Sequence, residues 1–352
     1  MNSSSSKINF TLTVINGGLE NFDDLNPSVK ILKPNRNSVF KKIKTRALKR
    51  NDVSRFDYIS KFLKEYPQDL ILLNTLLSLK HIDPALMSGF KTILYVHETE
   101  DMLVNLNKDN LKFLIEKVDL ILCSSSAVKE YLEILGRKKQ LEVLYPVINF
   151  QRFNLPLSAK NKREELGYKD TDFIWMMSGA LLVNKNPKAF INSAKSVVRE
   201  FPDAKFLWVG ATDSHAYEIF LRNFISKNGL ESTIKIIPRL LAEYYQYLNV
   251  ADGFLLTSFS ESFSMAALEA TAFNKPVISF PCGGVLESVP ANRREVTSNF
   301  SVDELVNLMK KEMNSEKKDF DVEDIQHLLK KDKQFSALNF KKIVEKVCQQ
   351  KI

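Results

Sequence analysis

Cysteine is scarce in this chain of 352 residues: Cys123, Cys282 and Cys348 are far apart, odd in number and never spaced as CxxC. That excludes a disulfide framework and the usual structural zinc site, and it suits a reducing compartment. Histidine is equally sparse, and His81, His97, His215 and His327 share no metal-ligand spacing, so no metal is expected. Nowhere do the roughly twenty consecutive apolar residues of a membrane span occur. The opening Met1–Lys7 is polar and serine-rich, without the apolar centre of a signal peptide. These absences lead to the expectation of a cytoplasmic protein. GxGxxG, the P-loop and GxSxG are missing too, as are repeats of about twenty to fifty residues. Tryptophan occurs only as Trp175 and Trp208, both in apolar strand-like runs, where core packing accounts for them.

What is present is the composition of a soluble globular protein, 44% apolar and 26% charged. The length is too great for one core and suits two domains. The net charge of +8 is unevenly spread: Lys30, Lys33, Arg36, Lys41, Lys42, Lys44, Arg46, Lys49 and Arg50 share a stretch with no acidic residue among them. Such a segment can lie on an anionic membrane surface, gaining about 1 kcal/mol per basic residue, contact nucleic acid, or form a solvated helix face. The charge run alone does not separate the first reading from the third; a nucleic-acid partner is not expected.

Short apolar runs alternate with amphipathic stretches along the chain, the pattern of βαβ units and parallel sheets. Strands are expected at Ile8–Ile15, Val29–Leu32, Asp69–Leu73, Thr92–His97, Leu120–Ser124 and Leu141–Leu144, with helices at Val53–Glu65, Leu103–Glu116 and Ala127–Leu135. In the second half strands are expected at Asp172–Ser178, Lys205–Val209, Ile234–Ile236, Gly253–Leu256 and Pro276–Phe280. Helices fall between them at Pro187–Glu200, Ser214–Asn228, Leu241–Ala251 and Ser264–Phe273. The seam lies near Tyr145–Lys160, where Pro146 and Pro156 break the periodicity. This gives an N-terminal domain at 1–150, a second at 151–333, and a closing helix at 334–352. Asp170-Thr171-Asp172 precedes a strand and reads as a turn rather than a metal-binding acid pair.

Ligands of doubly wound sheets gather at the carboxyl ends of strands. The richest such loop is TSFSESFSMAALEA, Thr257–Ala270. Ser262, Phe263, Ser264 and Met265 open a helix there and can present free backbone N–H groups to an anion, with serines as caps and hydroxyl donors. Glu261 and Glu269 lie eight residues apart, so both can face one cleft and accept hydrogen bonds from vicinal sugar hydroxyls. Equally, Glu261 can cap the helix and Glu269 can be a satisfied interior charge.

The segment from Glu261 through Glu269, followed by NKPVIS at Asn274–Ser279 and GGVLE at Gly283–Glu287, resembles the retaining GT-B glycosyltransferases of family four, the glycosyl transferases group 1. The likeness extends to SGALLVNKNPKAFINSA at Ser178–Ala194 and to Phe335–Val347, and in the first half to YVHETE at Tyr95–Glu100, CSSSAVKEYL at Cys123–Leu132 and EVLYPVIN at Glu142–Asn149. It implies two Rossmann-like doubly wound domains facing a cleft. A nucleotide diphosphate sugar would be held by the C-terminal domain as co-substrate, with no other cofactor and no metal. A glycan or lipid-linked acceptor would lie on the N-terminal side, and transfer would retain anomeric configuration. By the same resemblance Gly179 belongs to the phosphate loop, Lys185 neutralises the diphosphate, Glu269 binds the ribose, Glu261 holds donor-sugar hydroxyls, and His97 approaches the transferred sugar from the opposite wall. Glu98 can instead be a partner of nearby backbone. The expected role is surface polysaccharide or glycolipid synthesis, peripheral at the inner membrane face.

The pattern is not kept throughout. Ala180 stands where many relatives carry arginine, Ser262 and Ser264 replace glycines, and Ala266 replaces a frequent proline. Ile8–Leu32 resembles the family's second strand and its continuation, so the N-terminal domain reads as lacking its first strand and helix; otherwise Gly17 and Gly18 form its glycine loop. These departures keep a second reading open, a transferase-like protein that binds nucleotide sugar or a partner subunit without turnover.

Overall fold

The computed structural model describes residues 70–82, 87, 89–146, 159–211, 216–240, 243–315, 340, 342–344 and 346–347, with the backbone of 11–13 and 30–32. Helix Val53–Glu65, Gly17 and Gly18, most of the basic stretch, the seam residues 147–158, His215, His327 and Cys348 lie outside them.

The described residues form two main parallel sheets. In the first, β3 (Leu70–Asn74), β4 (Lys91–Val96), β5 (Leu120–Cys123) and β6 (Leu141–Val143) lie side by side in chain order. All four residues of β5 are buried, as expected of a strand covered on both faces. Thr11–Thr13 (β1) and Lys30–Leu32 (β2) pair in parallel with each other. Ser126–Ile134 (α1) follows β5, capped by Ser125, whose hydroxyl accepts from the Val128 N–H at 3.2 Å. The helix expected over Leu103–Glu116 is broken. A 3₁₀ segment spans Glu100–Asn105, a new helix starts at Lys108, and a π-turn spans Phe113–Lys117. The cause is Asn107, whose side-chain oxygen caps the second piece by accepting from the Asn110 N–H at 2.8 Å.

The second sheet contains β7 (Phe173–Ser178), β8 (Ala204–Ala211), β9 (Ile234–Pro238), β10 (Gly253–Leu256), β11 (Val277–Ser279) and β12 (Arg294–Val296), in the order β12-β11-β10-β7-β8-β9, all parallel. The order reverses direction between β7 and β10, the switch point where such sheets open a crevice for ligands. Helices α2 (Pro187–Val197), α3 (Ala216–Lys227), α4 (Tyr244–Val250), α5 (Met265–Ala272) and α6 (Val302–Met313) pack around it. The core is built on Trp175, Trp208, Phe190, Phe206 and Phe254, all essentially inaccessible. Gly253 is required by this packing, since a Cβ there would fall 2.4 Å from the Trp175 ring.

Among the elements that went unread in the sequence are helix Ala159–Glu165, β12 and α6. The start of α6 carried a readable signal: Ser301 accepts from the Glu304 N–H, and Glu304 accepts from the Ser298 N–H at 2.8 Å, a variant of the capping box. Near the C-terminus, Val344 and Val347 are buried with Ile93, Leu120 and Leu122 of the first sheet, with Phe340 and Ile343 packed alongside.

Candidate functional site

Strand β7 ends at Ser178, and Gly179 follows at φ 145, a backbone conformation that favours glycine. Three contacts hold it. Its N–H donates to the Val209 carbonyl at 2.9 Å, and its carbonyl accepts from the Trp208 indole at 2.8 Å. Gly210 lies so close that a Cβ there would meet the Gly179 oxygen at 2.8 Å. Trp208 therefore does more than fill the core; its N–H fixes this turn. Above Gly179 runs the aliphatic stem of Lys185, within 3.5 Å of where a Cβ would stand. Lys185 sits in a 3₁₀ turn, Val183–Lys185, whose end is set by Asn186 in the left-handed conformation, φ 49, with its side chain capping α2.

From β10 the chain reaches Glu261. Its carboxylate accepts from the Lys185 ammonium at 2.7 Å and from the Ser258 hydroxyl at 2.6 Å. The two predicted residues thus meet in a partly buried ion pair at the switch point, with side chains 23% and 10% exposed. The ammonium carries three N–H donors, and one goes to Glu261. Its position is further fixed because the Lys185 carbonyl accepts from the Thr257 hydroxyl at 3.0 Å. Burial pushes the nearby Cys282 thiol up to about 12, so it is an inert wall.

The turn from Glu261 into α5 is clamped by the glycine pair of GGVLE. Gly284 donates its N–H to the Glu261 carbonyl at 3.0 Å. A Cβ on Gly283 would fall 2.3 Å from the Glu261 oxygen, and one on Gly284 2.3 Å from the Ser262 oxygen. Two backbones touch here with no room between them. Helix α5 then starts at Met265 with its first-turn N–H groups lacking intrahelical partners, as at any helix start. The serine caps expected there are not formed. Ser264 adopts a left-handed conformation, φ 60 and ψ 72, and its side chain makes no cap bond, while the Ser262 hydroxyl is directed to the other lobe.

Glu269 lies half-buried on α5 and accepts from the Tyr245 hydroxyl at 3.1 Å. Tyr244 also hydrogen-bonds Glu269, and its phenol is pushed well above its ordinary value by burial and then by the Glu269 charge. The same phenol lies 3.0 Å from the Ser178 hydroxyl. The end of β7 therefore separates two acid-bearing arms: Gly179, Lys185 and Glu261 on one side, Ser178, Tyr244 and Glu269 on the other. Of the two open readings, Glu269 is hydrogen-bonded to tyrosines and Glu261 is ion-paired; neither caps α5.

His97 follows β4 on the facing lobe. Its carbonyl accepts from the Ser262 hydroxyl at 2.6 Å, which brings His97 to the α5 turn. Burial lowers its pKa from the ordinary 6.5 despite the opposing charge of Glu98. Glu98 is the organiser of this corner. It accepts from the His97 N–H at 3.1 Å, from the Leu76 N–H at 3.2 Å and from the Thr75 hydroxyl. Thr75 itself sits at φ 143 and ψ 146, a region close to glycine-only that costs of order 1–3 kcal/mol.

Sequence reasoning missed the joint between the lobes. The Glu287 carboxylate of GGVLE accepts from the Ser126 N–H and hydroxyl at 2.9 Å, at the start of α1, and from the Tyr145 hydroxyl at 2.9 Å. The Tyr145 and Phe263 rings lie 5.5 Å apart. Ser126 and Glu287 are separated by 161 positions, so no local pattern joins them.

The family model for glycosyl transferases group 1 matches residues 158–325, the segment holding the second sheet. A D-inositol 3-phosphate glycosyltransferase of Paenarthrobacter aurescens is 27% identical over 156 residues, 44% of this chain and 38% of that protein. The chain thus matches well under half the length of this relative. Among solved structures, sucrose-phosphate synthase of Thermosynechococcus elongatus superposes with a TM-score of 0.71 at 15% identity, over 92% of this chain and 84% of that one. HepE of Anabaena, in complex with UDP, gives 0.71 at 17% identity, over 90% and 87%. The fold is GT-B, two parallel α/β domains of Rossmann type.

Proposed function

We propose that this chain is a glycosyltransferase that takes a sugar from a nucleotide diphosphate donor, holding the donor at the carboxyl ends of β7 and β10. The observation that carries this reading is the convergence of Gly179, the Lys185–Glu261 pair and the start of α5 on the switch point of the second sheet. An ammonium and the N–H donors of a helix start suit a diphosphate, and they would stabilise the charge that appears on it as its bond to the sugar breaks. Charge neutralisation by Lys185 makes the proposed reaction metal-independent. Glu269 would take the ribose hydroxyls, with Tyr244 and Tyr245 holding its carboxylate. Glu261 would meet the donor sugar while keeping Lys185 aligned, and His97 would face the sugar from the first lobe. Retention of configuration is supported by the resemblance of the Glu261–Glu269 segment to retaining enzymes.

The acceptor would be a glycan or lipid-linked saccharide on the first lobe, in surface polysaccharide or glycolipid synthesis. A lipid-linked acceptor would place the protein at the inner membrane face, with the basic residues of 30–50 against anionic lipid. Among the described residues no helix is long and apolar enough to cross a membrane. The likeness to HepE, which was solved with UDP, makes UDP the first nucleotide to try.

The test is a thermal-shift and calorimetric screen against UDP, GDP, ADP, dTDP and their sugar conjugates. A donor binding well below millimolar concentration would raise the melting temperature by mass action, and release of its nucleoside diphosphate with an acceptor would establish transfer. Binding without turnover would favour a non-catalytic nucleotide-sugar-binding subunit; no binding would overturn the donor-site assignment.

A further inference from the structure

We propose that Ser258 is a positioning residue: its hydroxyl holds the Glu261 carboxylate by one oxygen, so that the other, Oε2, remains the acceptor for a donor-sugar hydroxyl while Lys185 engages the diphosphate. The inference rests on the glycosyl-transfer reading for its purpose, and on the hydrogen bonds at the end of β10 for its geometry.

Both donors to this carboxylate meet the same atom. The Lys185 ammonium donates to Oε1 at 2.7 Å, and the Ser258 hydroxyl donates to that oxygen at 2.6 Å. A carboxylate oxygen has two lone-pair sites, so this pair of donors fills Oε1. Among the described residues no hydrogen bond reaches Oε2. The Glu261 side chain is 10% exposed, so it is not sealed from a ligand in the crevice. One oxygen is thus committed to the protein and the other is left for a group that donates, as a sugar hydroxyl does.

The two donors differ in what can take them away. Lys185 is a cation on a flexible four-carbon stem, 23% exposed, and a bound diphosphate would compete for its N–H groups. Ser258 has a single side-chain torsion and is wholly buried. Its main chain is stitched on both sides to the turn that carries Lys185: the Thr257 hydroxyl donates to the Lys185 carbonyl at 3.0 Å, and the Phe259 N–H donates to the Asn184 carbonyl at 2.8 Å. Close packing at Gly283 and Gly284 fixes the main chain of Glu261, with the Gly284 N–H on its carbonyl. Packing of that kind does not direct the carboxylate, whose side chain has staggered alternatives. Once Lys185 turns to phosphate, the Ser258 hydroxyl is the bond that keeps Glu261 in one of them.

Titration calorimetry on the full-length chain tests this by comparing each nucleotide with its sugar conjugate: UDP with UDP-glucose, GDP with GDP-mannose, ADP with ADP-glucose and dTDP with dTDP-glucose. The quantity read is the ratio of the two affinities within a pair, since damage to the fold or to the phosphate contacts lowers both alike. Ser258→Ala should lower affinity for the conjugate about three- to tenfold, as when one competent rotamer becomes one of several, and leave that for the bare nucleotide within about twofold. Ser258→Cys keeps the volume but offers only a weak donor. It should behave as the alanine variant does, and it decides the matter if that variant fails to fold. Ser258→Thr keeps the hydroxyl and should restore the wild-type ratio. An unchanged ratio in the alanine and cysteine variants, whatever their melting temperatures, overturns the proposal. A wild type that binds none of these ligands would sink the donor-site reading instead.

Discussion

The two lobes set their site residues by opposite means. On the second lobe the positioning device is the absence of side chains: Gly210 lets the Gly179 turn close on it, and Gly283 and Gly284 let two backbones touch beside Glu261. On the first lobe it is a polar clamp, in which Glu98 gathers Thr75, Leu76 and His97. Close backbone packing is insensitive to pH and intolerant of even one methyl group. A carboxylate clamp tolerates isosteric change but responds to charge. The wall assigned to the diphosphate, which needs fixed N–H donors and one cation, is the steric one; the wall assigned to the sugar is the polar one.

The largest expected effect comes from removing the cation that the steric wall carries, the Lys185 ammonium paired with Glu261. Lys185→Ala should weaken UDP binding by roughly 10- to 150-fold, the range of a charge-assisted hydrogen bond of about 1.5–3 kcal/mol. It should also leave the Glu261 carboxylate with the hydrogen bond from the Ser258 hydroxyl. Titration calorimetry measures the first effect. A lower melting temperature with unaltered nucleotide affinity would show Lys185 to be structural. Gly284→Ala should come next. Its φ of −68 accommodates alanine, so the whole effect is the collision of Cβ with the Ser262 oxygen and Phe263 Cα, at 2.3 and 2.7 Å. Overpacking of this kind costs about 1–3 kcal/mol, and the displaced α5 turn should lower donor affinity alongside the melting temperature. If the melting temperature alone falls, the glycine pair packs the lobe without shaping the donor site.

The same contrast explains what the sequence made legible. Strand β10 was read as Gly253–Leu256, its observed limits, because an apolar run between Asp252 and a polar loop leaves little choice. Gly179, Lys185, Glu261 and Glu269 could be singled out because short motifs carry them, and the steric wall is made of such motifs. The Lys185–Glu261 pair was not foreseen as a pair, since 76 positions separate its members. Tyr244 on Ser178 and Glu287 on Ser126 were missed for the same reason: a side-chain bond across elements has no period to betray it. Expected serine caps at α5 failed because Ser262 found a partner in the other lobe. The broken helix after Glu100 was a local failure, where Asn107 overrode an apolar pattern.

A smaller effect should follow at the joint between the two walls. Glu287 is a carboxylate at the start of α1, where a negative charge contributes about 0.3–1 kcal/mol. Glu287→Gln with Tyr145→Phe should loosen the lobes, read as a larger radius of gyration by solution scattering with UDP affinity changed less than about threefold. An unchanged radius would mean that Ser262 on His97 suffices to hold them.

The smallest expected effect is the pH response that only the polar wall should show. Burial favours neutral His97 in the folded protein and outweighs Glu98, which favours the cation. Above about 6.5, the ordinary histidine value, His97 is neutral whether folded or unfolded and contributes no pH dependence. As pH falls through that value the unfolded chain takes up the proton first, so stability declines until the lower folded value is passed. Donor turnover should therefore hold level from neutral pH upward and fall on the acid side with a midpoint below 6.5, as the ring loses its acceptor nitrogen. Glu98→Gln, lacking the charge that supports protonation, should move that midpoint lower still, while Lys185→Ala and Gly284→Ala should reduce turnover without moving it. The decisive control is His97→Gln, which should abolish the acid limb; a limb that survives there belongs to another group, and the division of labour between the two walls would then be wrong.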